Sequence, residues 1–165
     1  MKRVLLDTNV YGEIAIDPAV AKIRERLAGS QSFVFYGNEV IRKELRDTPK
    51  AKRFGNSNLR IILLSLYDDV IKDHILEVSP EVSELAENFY EAYKEVGGLK
   101  PKSGIISDFL IVAAAAVNNL DMVVSNDEKT MLTENAVKAY RLITAVKKKK
   151  MPDVILYDKF RRWFV

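Results

Sequence analysis

The first ten residues, Met1-Lys2-Arg3-Val4-Leu5-Leu6-Asp7-Thr8-Asn9-Val10, constrain the fold more than any other stretch. Val4 to Leu6 is an unbroken apolar run, which suits a strand buried on both faces of a parallel sheet better than a half-exposed one. Asp7 then falls at the carboxyl end of that strand. In open α/β sheets ligands gather in the crevice beyond the carboxyl ends of the strands, so a carboxylate there is placed for chemistry. Thr8 and Asn9 add a hydroxyl and an amide able to orient it or hold a water. Asp also caps helices at such turns, and the opening segment alone does not choose between a cap and a reactive acid.

Tyr11 to Leu27 mixes apolar and charged residues at helical spacing, with Ala19, Val20, Ile23 and Leu27 on one side and Gly29-Ser30 as its stop. Phe33 to Tyr36 predicts a second buried strand. Asn38 is the expected N-cap of a helix whose apolar face carries Val40, Ile41 and Leu45. Glu44 falls on or beside that face, where a carboxylate is costly unless something pairs with it. Residues 47–58 read as a loop or short helix pair presenting Lys50, Lys52 and Arg53 to solvent. Leu59 to Val70 reads as a helix and Ile75 to Val78 as a strand. Ser79-Pro80-Glu81 is the capped start of a helix that runs to Gly97-Gly98.

A basic loop with Lys100 and Lys102 leads into an apolar helix containing Ala113 to Ala116. Ser107 is its expected N-cap, which puts Asp108 in the first turn. Met122-Val123-Val124 is the next buried strand, and Ser125-Asn126-Asp127 stands at its carboxyl end as Asp7 does at the first. Arg141 to Thr144 reads as a last short strand. Four consecutive lysines, Lys147 to Lys150, precede an extended piece at 151–156 and a short amphipathic helix at 157–164. The expectation is one domain over 1–165, with a core at about 3–144 and a basic C-terminal extension at 145–165.

Composition excludes several chemistries. A chain of 165 residues, 48% apolar and 30% charged, is an ordinary globular domain, and its net charge of +3 is only a weak pull toward a polyanion. With no cysteine there are no disulfides, thiolate metal sites or cysteine nucleophiles. No run reaches the ~20 apolar residues of a membrane span, and the run before Asp7 is too short for a secretory signal, so a cytoplasmic protein is expected. The sole histidine, His74, lies in a charged segment remote from the acids, which argues against a histidine-based nuclease or a Ser-His-Asp hydrolase.

Four acids share one property: Asp7 and Asp127 end buried strands, Asp108 starts an apolar helix, and Glu44 lies against an apolar face. A doubly wound sheet can bring all four into one crevice. Close carboxylates cannot all ionise cheaply unless a cation neutralises them, and hard divalent ions with oxygen ligands, Mg²⁺ or Mn²⁺, do so. Glu39 is a rival to Glu44 for a place in this group.

In these segments the chain resembles the PIN-domain family, in particular VapC-type toxin ribonucleases. The resemblance rests on Leu6-Asp7-Thr8-Asn9-Val10, Glu44-Leu45, Ser107-Asp108 ahead of Leu110 to Ala115, and Val123 to Asp127, in matching order over roughly residues 3 to 144. It implies a three-layer α/β/α sandwich with a mainly parallel central sheet. It further implies a metal-dependent endoribonuclease, the toxin of a type II toxin–antitoxin pair, that cleaves RNA with a metal-activated water. Asp7, Glu44, Asp108 and Asp127 would then be the catalytic and metal-binding acids for Mg²⁺ or Mn²⁺, supported by Thr8, Asn9 and Ser125. The implied partners are RNA, a small antitoxin and a second copy in a homodimer, and Glu39 falls too early after its strand for the family's spacing. Lys50, Lys52, Arg53, Lys100 and Lys102 are the candidate RNA contacts. Family members often carry another acid and an aromatic where this chain has Thr130 and Met131, with Glu128 the nearest substitute. Two alternatives remain: a non-catalytic PIN-like module binding RNA or protein, and a haloacid-dehalogenase-type phosphohydrolase with Asp7 as nucleophile. The latter chemistry wants an acid two residues after the nucleophile, where Asn9 stands.

Overall fold

A computed structural model describes all of residues 1–165. In chain order the strands are β1 (Lys2–Leu6), β2 (Phe33–Asn38), β3 (Arg53–Phe54), β4 (Ser57–Asn58), β5 (Ile75–Leu76), β6 (Met122–Ser125) and β7 (Asp153–Leu156). The helices are α1 (Thr8–Ile16), α2 (Val20–Ala28), α3 (Glu39–Arg46), α4 (Leu59–Ile71), α5 (Pro80–Glu95), α6 (Ile106–Val117), α7 (Glu134–Val146) and α8 (Tyr157–Arg161). Five strands form one sheet in the order β5-β2-β1-β6-β7, every neighbouring pair parallel. Helices α1, α2, α4 and α8 cover one face and α5, α6 and α7 the other, giving the expected three-layer sandwich.

β1 is central because its sequence tolerates no wet face: Val4, Leu5 and Leu6 are all completely buried. Each such side chain contributes about 1.5–3 kcal/mol on leaving water. The register pairs Leu6 with Val124, which sets Asp7 beside Ser125 at the carboxyl edge. α6 fits between the sheet and α5 because Ala113 to Ala116 are small, and none of the four retains exposed surface. Gly37 serves a similar need on β2, where a Cβ would overlap the Tyr67 hydroxyl.

The chain departs from its sequence pattern at several points. The single helix expected over 11–27 is two helices, because Pro18 has no N–H to continue α1. Asp17 caps the end of α1, and its carboxylate accepts hydrogen bonds from Arg161 and from the Tyr157 hydroxyl. Residues 47–58 hold neither a plain loop nor a helix pair but a small antiparallel ribbon, β3 with β4, that turns at Gly55 with φ of +61°. Ser107 is not the cap of α6: the helix starts two residues earlier than such a cap would set it, at Ile106 after Ile105, which offers no side-chain cap, while Asp108 does lie in the first turn.

Arg141 to Thr144 is not a strand. It belongs to α7, whose buried residues Ala136, Ala139, Tyr140 and Thr144 recur at helical spacing behind the N-cap Thr133. The fifth strand is β7, so the core continues past residue 144, and Tyr157, Phe160 and Phe164 belong to it. No helix is long and apolar enough to cross a membrane.

Candidate active site

The sheet order puts β2 on one side of β1 and β6 on the other. Helices following β1 lie on one face and those preceding β6 on the opposite face, so the gap between the carboxyl ends of β1 and β6 is the topological switch point where α/β folds open a crevice. Asp7 and Ser125 to Asp127 flank that gap. Asp7 caps α1 and faces the crevice at once: one carboxylate oxygen accepts the Thr8 N–H at 2.7 Å, and the other accepts from the Ser125 hydroxyl at 2.7 Å and the Asn9 amide at 3.1 Å. The Asn9 side-chain oxygen accepts the Asn126 N–H at 3.0 Å, which ties the end of β6 to the start of α1. Ser125, fully buried, also accepts the Asp127 N–H at 3.0 Å.

α3 brings Glu44 to the same place. Its carboxylate accepts the Thr8 hydroxyl at 2.5 Å, so Thr8 spans from the Asp7 carboxylate, bonded by its N–H, to the acid on the neighbouring helix. Asp108, in the first turn of α6, and Asp127, just past β6, both touch the hydroxyl of Thr130. All four expected acids and all three expected supports therefore converge, and Thr130 joins them. Glu39 is exposed at the start of α3 and takes no part in this cluster. His74 sits at the outer edge of the sheet against Tyr36, with ring centroids 5.4 Å apart.

The electrostatics are those of crowded carboxylates. Burial pushes Asp7 from 3.8 up to about 6, against the pull of its Ser125 and Thr8 hydrogen bonds, and the charges of Glu44 and Asp127 raise it further. Burial raises Asp108 to about 7, with Thr130 opposing and the charges of Asp7, Asp127 and Glu44 adding to the rise. Raised carboxyl groups in a crevice mark candidate functional sites.

No three of these acids close into a ready cage for an ion. Hydroxyls stand between them: Thr8 against Glu44, Ser125 against Asp7, and Thr130 between Asp108 and Asp127. The donor set still fits Mg²⁺ or Mn²⁺, because such ions prefer hard oxygen ligands, keep several waters and take only one or two carboxylates directly.

The basic residues are less concentrated. Lys50, Lys52 and Arg53 are exposed on and before the β3–β4 ribbon, next to half-exposed Phe54. Lys102 is committed to Glu87 at 2.5 Å, and Lys100 is exposed in the loop that follows α5. Thr130 is the site residue that sequence pattern passed over; the signal available was an Asp-x-x-Thr spacing, in which Asp127 accepts the backbone N–H of Thr130 at 2.9 Å.

The acids stand at the switch point of a parallel three-layer α/β/α sandwich. Among solved structures the chain is similar to VapBC2 from Rickettsia felis bound to a DNA fragment from their promoter, at 15% identity and TM-score 0.58, covering 93% of this chain and 96% of that one. It is similar to FitAcB from Neisseria gonorrhoeae, at 19% identity and TM-score 0.59, covering 92% and 96%. DNA-bound VapBC from Salmonella typhimurium follows at 15% identity and TM-score 0.55, covering 95% and 99%. At these identities the likeness is one of fold. No protein-family model and no curated protein matches the sequence.

Proposed function

We propose that this protein is a divalent-metal-dependent endoribonuclease and the toxin of a toxin–antitoxin pair. The observation that carries the reading is the meeting of Asp7, Glu44, Asp108 and Asp127 at the switch point, held by Thr8, Ser125 and Thr130. Mg²⁺ or Mn²⁺, held there by these acids, would supply charge stabilisation at a phosphodiester and an activated water. The chain's own part is positional. Ser125 and Asn9 fix Asp7, Thr8 fixes Glu44, and the β1–β6 register fixes both relative to Asp127.

An acid-lined crevice repels RNA, so flanking phosphates need basic residues around it. The ribbon and the segments that flank it would supply them: residues 48–67, which run into α4, contain Lys50, Lys52, Arg53 and Arg60 and no acid. Phe54 offers a flat face beside them on which an unpaired base can stack. A small antitoxin would neutralise the same crevice with basic side chains, and a homodimer in the cytoplasm is the expected setting.

The non-catalytic alternative predicts that acid substitutions leave all activity unchanged. The phosphohydrolase alternative is disfavoured by Asn9, whose amide is spent on Asp7 and on the Asn126 N–H instead of presenting a second acid. Asp7→Asn tests the reading, because an amide keeps the cap of α1 and its shape but loses the charge. Purified D7N should retain its fold and lose Mn²⁺-dependent RNA cleavage; cleavage at the wild-type rate would sink the nuclease assignment. A phospho-enzyme at Asp7, sought by mass spectrometry after beryllofluoride or phosphate-ester treatment, would favour the phosphohydrolase instead.

A further inference from the structure

We propose that Thr130 is a positioning residue: its hydroxyl joins Asp108 to Asp127 and sets the geometry in which those two carboxylates meet a divalent cation. The inference rests on reading the acid cluster as a metal site, and it gives a buried hydroxyl a role toward the ion.

Thr130 is only 7% exposed, and its Oγ1 touches one oxygen of Asp108 and one of Asp127. The other oxygen of Asp127 accepts the N–H of Lys129 at 3.0 Å and of Thr130 itself at 2.9 Å. Residue 130 therefore grips Asp127 twice, by its backbone on one oxygen and by its hydroxyl on the other. The turn that carries it is anchored beneath: the Thr133 hydroxyl donates to the Thr130 carbonyl at 2.9 Å, and the buried Tyr140 hydroxyl donates to the Met131 carbonyl at 2.9 Å. Met131 is fully buried. Packing and hydrogen bonding thus hold the Thr130 side chain in place, and it does not rotate freely at a surface.

A hydroxyl has one proton and two lone pairs. It can donate to Asp108 or to Asp127, and the other carboxylate then faces a lone pair. Two carboxylates at one hydroxyl consequently favour a further positive partner in the same gap, and a divalent cation is such a partner. Asp127 reaches Asp108 through Thr130, three residues further along the same turn. Outer-shell groups that orient ligands in this way typically change metal affinity by roughly 10- to 100-fold when removed.

The test is Mn²⁺ binding by titration calorimetry on the full-length protein. T130V keeps the side-chain shape and loses the hydroxyl; it should bind Mn²⁺ roughly 10- to 100-fold more weakly. T130S keeps the hydroxyl and should return to within about threefold of wild type, with unchanged circular dichroism in both variants. If valine disturbs the turn, T130A reports the same loss. Adding T130V to D127N should cost clearly less than adding it to wild type, because the hydroxyl acts through that carboxylate. T130V binding as tightly as wild type, or equal losses in T130V and T130S, overturns the inference. RNA cleavage measured in parallel separates the two readings. Hydroxyl-dependent Mn²⁺ binding without cleavage keeps the role of Thr130 and removes the nuclease. Unaltered binding by T130V beside loss of cleavage in D7N does the reverse, and a wild type that binds no Mn²⁺ overturns both.

Discussion

The raised carboxyls make stability an assay for the site that needs no substrate. Asp108 moves from an ordinary 3.8 to about 7 and Asp7 from 3.8 to about 6, both chiefly through burial. A carboxyl that holds its proton more tightly when folded stabilises the native state fully below its unfolded value of 3.8, and that contribution disappears as pH rises through its folded value. In metal-free protein the loss accumulates from about pH 4 and is complete just above 7. At about 1.4 kcal/mol per tenfold change in proton activity, the part between pH 5 and 8 is roughly 3 kcal/mol for Asp108 and 1–2 kcal/mol for Asp7. Asp108 feels the charge of Asp7, so the joint loss lies below the sum. D108N removes the larger contribution while its amide can still bond to Thr130. With EDTA present, D108N should be more stable than wild type at pH 8 by up to roughly 4 kcal/mol, or about 8–16 °C in melting temperature, and the gap should close toward pH 4. Mn²⁺ should raise the wild-type melting temperature more at pH 8 than at pH 5, since the ion competes with protons for the same oxygens. Differential scanning calorimetry across that range is the measurement. A wild type whose stability is flat or rising from pH 5 to 8, with D108N no better at pH 8, would refute the burial of these carboxyls at the site.

Replacing Lys50, Lys52 and Arg53 together by Gln should weaken binding of a single-stranded RNA in EDTA and reduce its log–log salt slope by up to about 2, at roughly 0.7 for each phosphate no longer neutralised, as read by fluorescence anisotropy over a salt series. An unchanged slope would move the basic rim elsewhere, with Lys147 to Lys150 next. Phe160→Ala should cost about 3–5 kcal/mol by urea denaturation, because this fully buried ring packs against Phe33, Phe35 and Phe164 at centroid distances of 6.3, 6.1 and 4.8 Å. A cost below about 1 kcal/mol would mean that the C-terminal helix is not part of the core. Gly37→Ala should cost about 1–3 kcal/mol in the same assay, since the added methyl must displace the Tyr67 ring.

The sheet was legible where its strands are buried on both faces, because burial demands an unbroken apolar run and few other elements produce one. β1, β2 and β6 follow that rule. β7 fits it less well: Val154-Ile155-Leu156 is an apolar run of the same length and reads as an extended piece, but it lies at the sheet's edge, where none of the strand's residues is buried. Arg141 to Thr144 offered a short apolar stretch instead, and a stretch of that length fits a strand or one side of a helix equally well. Only the longer spacing from Ala136 to Thr144, with Thr133 as cap, separates the two. The tail shows the same limit from another side. Phe160 and Phe164 meet Phe33 and Phe35 from the opposite end of the chain, and local periodicity carries no record of such a meeting.

The acids were legible for a topological reason, since the carboxyl ends of buried parallel strands meet at the switch point, even though a carboxylate there can also cap a helix, as Asp7 does. The groups between the acids were legible only in part. Thr8, Asn9 and Ser125 stand one or two residues from an acid, so adjacency alone suggests them. Lys102 shows the opposite case, a plausible phosphate contact whose charge is taken up by Glu87 on α5. Thr130 is the instructive position, because counting residue types there registers a missing acid. The Asp127 turn folds residue 127 and residue 130 onto the same Asp108, so that a carboxylate from one and a hydroxyl from the other occupy neighbouring points in space. The arrangement requires a residue at 130 that can bond to both carboxylates. Serine and threonine can do so at that position, and valine cannot.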